Sequence, residues 1–269
     1  MRKPERPAKN FKPPSAPAPN PHRTAPPSPA VSGTWLWGRH AVLAALGNPD
    51  RKLLRILTTA ENHEELKETL GQGSVAPQIV GKDELSKMLP TGAVHQGLAL
   101  LTRPLPHLVI DDIIDETQGD PSAVIVALDQ VTDPHNIGAI MRSAAAFGAR
   151  AILIPDRNAP EISGTLAKSA SGAVEAVPLI RVVNLVRALE SLKKAGFWII
   201  GLDGGAERTL AAQKPTGRIC VVLGSEGDGM RRLTKETCDM MARLPTSGPI
   251  ASLNVSNAAA AALYELRRE

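Results

Sequence analysis

Three polar stretches in the second half of the chain combine residue types that bind and orient ligands. The first is Asp133–Arg142, where an Asp-Pro turn precedes a predicted amphipathic helix. Asn136 is a good N-cap residue for this helix, and its apolar stripe is Ile137, Ile140, Ala144 and Phe147. Arg142 lies off that stripe. Its helical neighbours Gly138 and Ala145 are small, so it is a candidate for close approach to a ligand, and the alternative is an ordinary surface ion pair.

The second stretch is Gly224-Ser225-Glu226-Gly227-Asp228-Gly229-Met230, directly after a predicted buried strand. Its glycines allow positive φ and a close approach of the backbone to a ligand, and its amides can form an anion nest. It lacks the Gly-Lys-Ser/Thr ending of a phosphate loop, and it lies too near the C-terminus for a dinucleotide fingerprint. On its own, the stretch is equally compatible with an ordinary turn.

The third stretch, Leu244–Ser256, contains a Pro/Gly loop between a predicted strand and the last helix. Ser252 or Asn254 is predicted to cap that helix, and its free amides can hold a polar ligand. The run of alanines at 258–262 permits close helix packing. Ordinary capping and core packing is again the alternative for this stretch taken alone.

The elements that must position these stretches alternate between strands and helices from Ala123 onward. Short apolar strands between amphipathic helices predict an α/β domain over 121–269, with a parallel sheet covered on both faces. A smaller α/β domain is predicted over 33–104, a linker over 105–120, and a disordered basic, Pro-rich tail over 1–32. The predicted strands are 54–59, 77–80, 97–101, 123–128, 151–155, 176–180, 198–202, 219–223 and 241–244. The predicted helices are 40–46, 61–70, 84–88, 136–147, 163–171, 183–194, 230–238 and 254–268.

Composition narrows the partners and the location of the protein. The net charge of +4 and a pI of about 9.2 are compatible with a polyanionic partner. Two cysteines predict a reducing compartment, and there is neither an apolar run of membrane-spanning length nor a signal-peptide core. The acids at 111–116 predict an exposed linker or helix face and no metal site. We therefore expect a cytoplasmic protein without a membrane segment or metal.

Together, the three stretches resemble the SpoU branch of the SPOUT RNA methyltransferases over Ala123–Glu269. The shared motifs are Asp-Pro-x-Asn-x-Gly-x-x-x-Arg, then Gly-Ser-Glu-Gly-x-Gly, then Ser-Leu-Asn-Val-Ser before an Ala-rich helix. Trp37–Val42 and His95–Leu98 look like the small, L30e-like substrate-binding domain of two-domain TrmH and RlmB-type members. The resemblance implies methyl transfer from S-adenosylmethionine to a ribose 2′-hydroxyl of RNA. It also implies a deep trefoil knot in the C-terminal domain and a homodimer.

The resemblance also assigns roles to eight residues. It implies that Arg142, Asn136, Glu226 and Asn254 are catalytic, and that Gly224, Leu244, Ser252 and Leu253 bind the cofactor. Guanidinium groups are poor bases, so Arg142 is expected to bind the RNA phosphate or the developing alkoxide. The acceptor of the proton from the ribose 2′-hydroxyl is left open: Glu226, that phosphate and water are the three alternatives.

The RNA target is not decided by these motifs. A guanosine of 23S rRNA is the substrate expected for this two-domain build, and transfer RNA is the alternative. A non-catalytic, dimeric RNA-binding protein is a second alternative, against which the intact set of polar site residues argues. A base or protein methyltransferase of the Rossmann type is disfavoured because no Gly-x-Gly-x-Gly loop follows the first strand of the larger domain.

Overall fold

The computed structural model describes residues 33–70, 75–157, 159–213, 216–249 and 252–268. The predicted tail over 1–32 lies outside these ranges. Contacts group Ser32–Glu269 into a single compact unit, and the proposed division of this unit into two domains stays a prediction. No helix in the described part of the chain is long and apolar enough to cross a membrane.

The first part of this unit contains a four-stranded mixed sheet. Its strands are β1 (Thr34–Trp37), β2 (Leu53–Thr58), β3 (Pro77–Ile79) and β4 (Leu98–Thr102), in the order β1-β4-β2-β3. β4 runs antiparallel to both neighbours, and β2 pairs with β3 in parallel. The helices are α1 (Arg39–Gly47), α2 (Ala60–Thr69) and α3 (Lys82–Met88). We refer to 34–102 as the N-terminal part.

The second part is built on a six-stranded sheet in which every strand pair is parallel. Its strands are β5 (Val124–Asp129), β6 (Ala151–Pro155), β7 (Leu179–Val182), β8 (Trp198–Leu202), β9 (Ile219–Gly224) and β10 (Met240–Ala242), in the order β10-β8-β9-β5-β6-β7. The helices are α4 (Ile110–Glu116), α5 (Pro134–Ala146), α6 (Gly164–Ala170), α7 (Leu185–Lys194), α8 (Leu210–Gln213), α9 (Arg232–Thr237) and α10 (Val255–Arg267), with a 3-10 helix at Ala173–Glu175.

Both faces of this sheet are covered, as predicted. Side chains alternate along a strand, so Val124, Val126 and Leu128 enter one core with α5 and α10. Ile125 and Ala127 enter the other core, with α7. Each fully buried large aliphatic side chain contributes roughly 1.5–3 kcal/mol to this packing. The strand pattern in the sequence therefore predicted the sheet correctly.

Several local predictions were wrong. Asn136 does not cap α5, because Pro134 already starts the helix and the Asp133 carboxylate accepts the bond from the backbone N–H of His135, at 3.0 Å. The strand predicted at 176–180 begins only at Leu179, because the chain first forms the 3-10 helix at 173–175. The acids at 111–116 lie on an exposed helix face, as predicted; their helix, α4, also buries Ile113 in the second core. α8 was not predicted.

Candidate functional site

The three polar stretches meet at the carboxyl-terminal edge of the parallel sheet. β5 and β9 are neighbours in register, so Asp129 lies opposite Gly224 where both strands end. The first stretch follows β5, the second follows β9, and the third follows β10 and leads into α10. Loops at this edge of an open α/β sheet are where ligands bind, so the fold places the candidate residues on a suitable surface.

Asn254 connects the three stretches through its side chain. Its Nδ2 donates to Asn136 Oδ1 at 3.0 Å and to Glu226 Oε1 at 2.5 Å. Its Oδ1 caps α10 by accepting from Ser256 N at 2.9 Å and from Ser256 Oγ at 2.6 Å. The predicted cap at Asn254 is therefore confirmed, and residues separated by 118 positions in the chain are in direct contact.

Glu226 lies at the N-terminus of α10. Its Oε1 also accepts from the backbone N–H of Val255 at 3.2 Å, where the dipole of a 13-residue helix favours negative charge. The site thus contains a fixed carboxylate and two interlocked amides. Within the described ranges, Glu226 Oε2 and the side-chain amide nitrogen of Asn136 make no hydrogen bond, so both can face a ligand.

The loop around Glu226 is a tight turn closed on itself. Ser225 N donates to Gly229 O at 3.2 Å, and Gly229 N donates to Ser225 O at 3.1 Å. Gly227 and Gly229 have φ of +97° and +68°, which favour glycine. A Cβ on Gly224 would overlap the backbone of Gly229 and Met230. These glycines are therefore required for the shape of the turn itself.

Arg142 lies on the exposed side of α5, away from the buried stripe. No hydrogen bond or ion pair of its guanidinium is found among the described residues. The alternative of a surface ion pair thus has no partner in the described part of the chain. The side chain is available to a ligand outside the protein, but it does not join the Asn136–Glu226–Asn254 network.

The four residues predicted to bind the cofactor lie in the second and third polar stretches, close in sequence to Glu226 and Asn254. Gly224 ends β9, Leu244 follows β10, and Ser252 and Leu253 directly precede the capped residue. Leu253 is 44% exposed, and Leu244 is half-buried. In the described ranges, the backbone N–H and C=O groups of both leucines are free of hydrogen bonds. Apolar surface beside free backbone donors and acceptors fits an adenine ring, so the residues present fit S-adenosylmethionine.

Three residues that support this site were not singled out from the sequence. The Asp129 carboxylate is fully buried, and it accepts from the Arg231 backbone N–H and from Arg231 Nε, both at 2.8 Å. Gln130 has φ of +64°, and its Nε2 donates to Gly229 O at 3.3 Å. These contacts join the end of β5 to the Gly224–Met230 turn. The signal in the sequence was a lone acid that ends an apolar strand.

A cavity of about 960 Å³ lies elsewhere, between the 104–109 segment and the region around the 3-10 helix. Arg51, Glu116, Arg150, Glu161 and Glu175 are among the charged residues that line it. It contains none of the eight predicted site residues. Because the polar network, the strand ends and the helix terminus coincide elsewhere, we assign the chemistry to the sheet edge and not to this cavity.

Comparison with known proteins identifies the family of this chain. A model described as the SpoU rRNA Methylase family matches residues 123–264, and one described as RNA 2′-O ribose methyltransferase substrate binding matches residues 35–108. This chain belongs to the SpoU rRNA methylase family. The two matches, together with the relatives described below, make it an RNA 2′-O-ribose methyltransferase that uses S-adenosylmethionine.

Relatives of the family are similar over nearly the whole chain. The 23S rRNA (guanosine-2′-O-)-methyltransferase RlmB of Photobacterium profundum is 37% identical, over 89% of this chain and 99% of the relative. RlmB of Escherichia coli K12 is 38% identical, over 87% and 98%. The SpoU methyltransferase AviRb of Streptomyces viridochromogenes has the same fold, with a TM-score of 0.72 at 21% identity, covering 87% of this chain and 88% of that one.

Proposed function

We propose that this chain methylates the ribose 2′-hydroxyl of a guanosine in 23S rRNA. The observation that carries the proposal is the contact of Asn254 with Asn136 and Glu226 at the end of the sheet, which joins three distant motifs into one polar site. The substrate is inferred from the RlmB relatives, because the alignments with this chain cover 99% and 98% of those proteins.

Bound S-adenosylmethionine would supply an activated methyl group, so the protein's own residues must mainly align and activate the hydroxyl. Gly224, Leu244, Ser252 and Leu253 would hold the adenosine portion through backbone groups and apolar contact. Asn136 and Asn254 would orient the ribose side of the site. Glu226 is the one carboxylate among the eight predicted site residues, and its position at the α10 terminus keeps it fixed.

Arg142 would act on the RNA and not on the cofactor. A guanidinium binds a phosphate through two parallel hydrogen bonds and stabilises negative charge that develops on the attacking oxygen. Its exposure on α5, the helix that also carries Asn136, supports this role because an RNA phosphate can reach it from solvent. The role therefore predicts a loss of turnover without a loss of cofactor binding.

The finer features of the fold belong to the same proposal. The knot is supported by the path of the C-terminal segment: it leaves β10 at one edge of the sheet, yet α10 packs against α5 near the middle. An L30e-like identity for the N-terminal part is proposed from the matched substrate-binding model. We also propose a cytoplasmic location, since the proposed substrate is ribosomal RNA.

A homodimer is part of the same proposal. Ala259 and Ala262 of α10 are fully buried within this chain and do not reach a second copy. Tyr264, which is 59% exposed on α10, supports an apolar contact with a second copy instead. Light scattering coupled to size exclusion would give the mass of the particle, and a monomer at micromolar concentration would overturn this proposal.

The function is tested with purified protein, labelled S-adenosylmethionine and separate transcripts of 23S rRNA, 16S rRNA and transfer RNA. We expect label only in 23S rRNA, with mass spectrometry of nucleosides identifying 2′-O-methylguanosine. Label confined to transfer RNA would overturn the substrate. Cofactor binding by calorimetry without label in any RNA would overturn the enzymatic role and favour a binding protein.

A further inference from the structure

The His95-Gln96-Gly97 loop is held in an unusual conformation by the residues around it. Gln96 has φ of +53°, a left-handed value that non-glycine residues rarely adopt, and Gly97 has φ of +77°. His95 Nδ1 accepts from Gly97 N at 3.0 Å, and Asn62 Nδ2 donates to Gln96 O at 3.0 Å. A left-handed glutamine costs on the order of 1 kcal/mol, so the surrounding contacts must hold it there.

This conformation directs the Gln96 side chain toward the second part of the protein. Its Oε1 accepts from Lys168 Nζ on α6 at 2.5 Å and from the backbone N–H of Arg39, the first residue of α1, at 3.2 Å. One amide oxygen therefore bridges α1 of the N-terminal part and α6 of the part built on the six-stranded sheet, which we call the methylase part. Gln96 and Lys168 are 72 residues apart along the chain.

The interface around this bridge is unusually close. Cβ atoms built on Gly38, Gly164 and Gly172 would overlap or crowd Lys168, Trp37 and Ala44, respectively. α6 thus lies directly on β1 and α1, with no room for side chains at these points. Such packing fixes the distance between the two parts, while the Gln96–Lys168 bond fixes their lateral position.

The residue after Lys168 faces the catalytic helix. Ser169 Oγ lies 3.1 Å from His135 Nδ1, and His135 directly precedes Asn136 of the polar network. A Cβ on Gly138 would come within 2.5 Å of Ser169 Cβ and 2.9 Å of Leu166 O, so α5 and α6 are in backbone contact. Two adjacent residues of α6 therefore connect the N-terminal loop with the start of α5.

We propose that Gln96 and Lys168 are positioning residues, which hold the N-terminal part on α6 so that bound RNA reaches α5 in the correct register. The inference rests on the proposed methylation of RNA. Neither residue needs to contact the RNA or the cofactor. Replacing either residue should therefore weaken the productive binding of RNA, because the part that binds RNA is misplaced. The affinity for the cofactor should stay unchanged.

The test uses Gln96→Asn, Lys168→Met and the double variant. Asparagine tolerates the left-handed conformation, but it is one methylene too short to reach Lys168. We expect each single variant to raise KM for 23S rRNA about fivefold or more, with unchanged affinity for S-adenosylmethionine in calorimetry. The double variant should be no worse than the more affected single variant, since both remove the same bond.

Two controls separate positioning from other roles. Gln96→Glu keeps an acceptor for Lys168 and should restore wild-type KM, while Gln78→Ala, which removes only a contact with Arg55 in the N-terminal part, should change nothing. Additive effects in the double variant would mean that Lys168 contacts RNA directly, and would overturn the proposal. So would a KM within twofold of wild type, or a loss of cofactor affinity.

A wild-type protein that methylates no RNA would instead disprove the function on which the inference rests. That result differs from an active wild type with unaffected variants, which disproves the positioning alone. Because the two failures give different measurements, the experiment tests the two proposals separately.

Discussion

Asn254 uses its two side-chain atoms for different purposes, so one substitution can separate them. Oδ1 caps α10, while Nδ2 donates to Asn136 and Glu226. Asparagine and aspartate are comparable caps, but aspartate has no donor and would add a second negative charge beside Glu226. The amide group, and not the cap, is therefore the feature specific to the site.

We predict that Asn254→Asp lowers S-adenosylmethionine affinity and turnover at least tenfold while changing the free energy of unfolding by less than about 1 kcal/mol. Calorimetry and urea unfolding measure the two quantities. Asn184→Asp is the matched control, because Asn184 caps α7 by accepting from Arg187 N at 3.1 Å, on the other face of the sheet. Equal activity of Asn254→Asp and wild type would remove Asn254 from the site.

Arg142→Ala should reduce methylation of 23S rRNA by about a hundredfold or more, because one charge-stabilising group commonly contributes that much to turnover. Alanine preserves α5, and the cofactor residues are elsewhere, so S-adenosylmethionine affinity should stay within twofold. The control is Arg187→Ala, an exposed arginine on α7. Wild-type turnover in Arg142→Ala would show that its assigned role is wrong.

At the scale of elements, the loop that begins at His95 makes stability depend on pH. Burial, and then the charge of Lys82, lower the pKa of His95. In the unfolded chain this imidazole binds a proton below about pH 6.5, so the unfolded state takes up more protons than the folded state there. The stabilisation is full above that pH and is lost as the pH falls through the lower folded pKa.

We therefore predict that the free energy of unfolding increases from pH 5 to pH 7.5, and that His95→Gln flattens this increase. Urea unfolding at three pH values gives the comparison. His107→Gln serves as the control, since His107 is exposed in the segment before α4. If His95→Gln and wild type respond equally to pH, the dependence arises from other groups.

At the scale of the whole molecule, the buried Arg51–Glu175 ion pair joins the N-terminal part to the methylase part. Arg51 Nη2 lies 2.8 Å from Glu175 Oε1, with side chains only 3% and 8% exposed. Arg51 also donates to Arg103 O at 3.1 Å, and Asn48 donates to Glu175 at 2.7 Å. A single buried carboxylate without its arginine would be costly, whereas a double replacement would not.

Arg51→Met should lower the free energy of unfolding by about 3–5 kcal/mol, and Arg51→Met/Glu175→Leu should recover most of that loss. The more exposed pair Arg150–Asp120, with side chains 45% and 21% exposed, is the control, and Arg150→Met should cost less than Arg51→Met. A single urea transition is expected throughout, because contacts make 32–269 one compact unit. A double variant less stable than Arg51→Met would contradict this account of the pair.

The sequence by itself determined the parallel sheet, because alternating apolar strands and amphipathic helices report which faces are buried. It also identified Asn136, Glu226 and Asn254 as candidate site residues, because each lies in a short motif that residue types and spacing are enough to recognise. Boundaries were less well predicted: Pro134 starts α5, and the 3-10 helix at 173–175 delays β7. Local pattern does not report such competition between turns and regular elements.

Only the tertiary structure decided which polar side chains meet. Asp129 binds Arg231 across 102 residues, Arg51 binds Glu175 across 124, and Gln96 binds Lys168 across 72. Each residue alone looks like an ordinary strand end, surface charge or loop amide. Their partners follow from strand order and helix packing, which place distant segments side by side, and no periodicity in the chain encodes that placement.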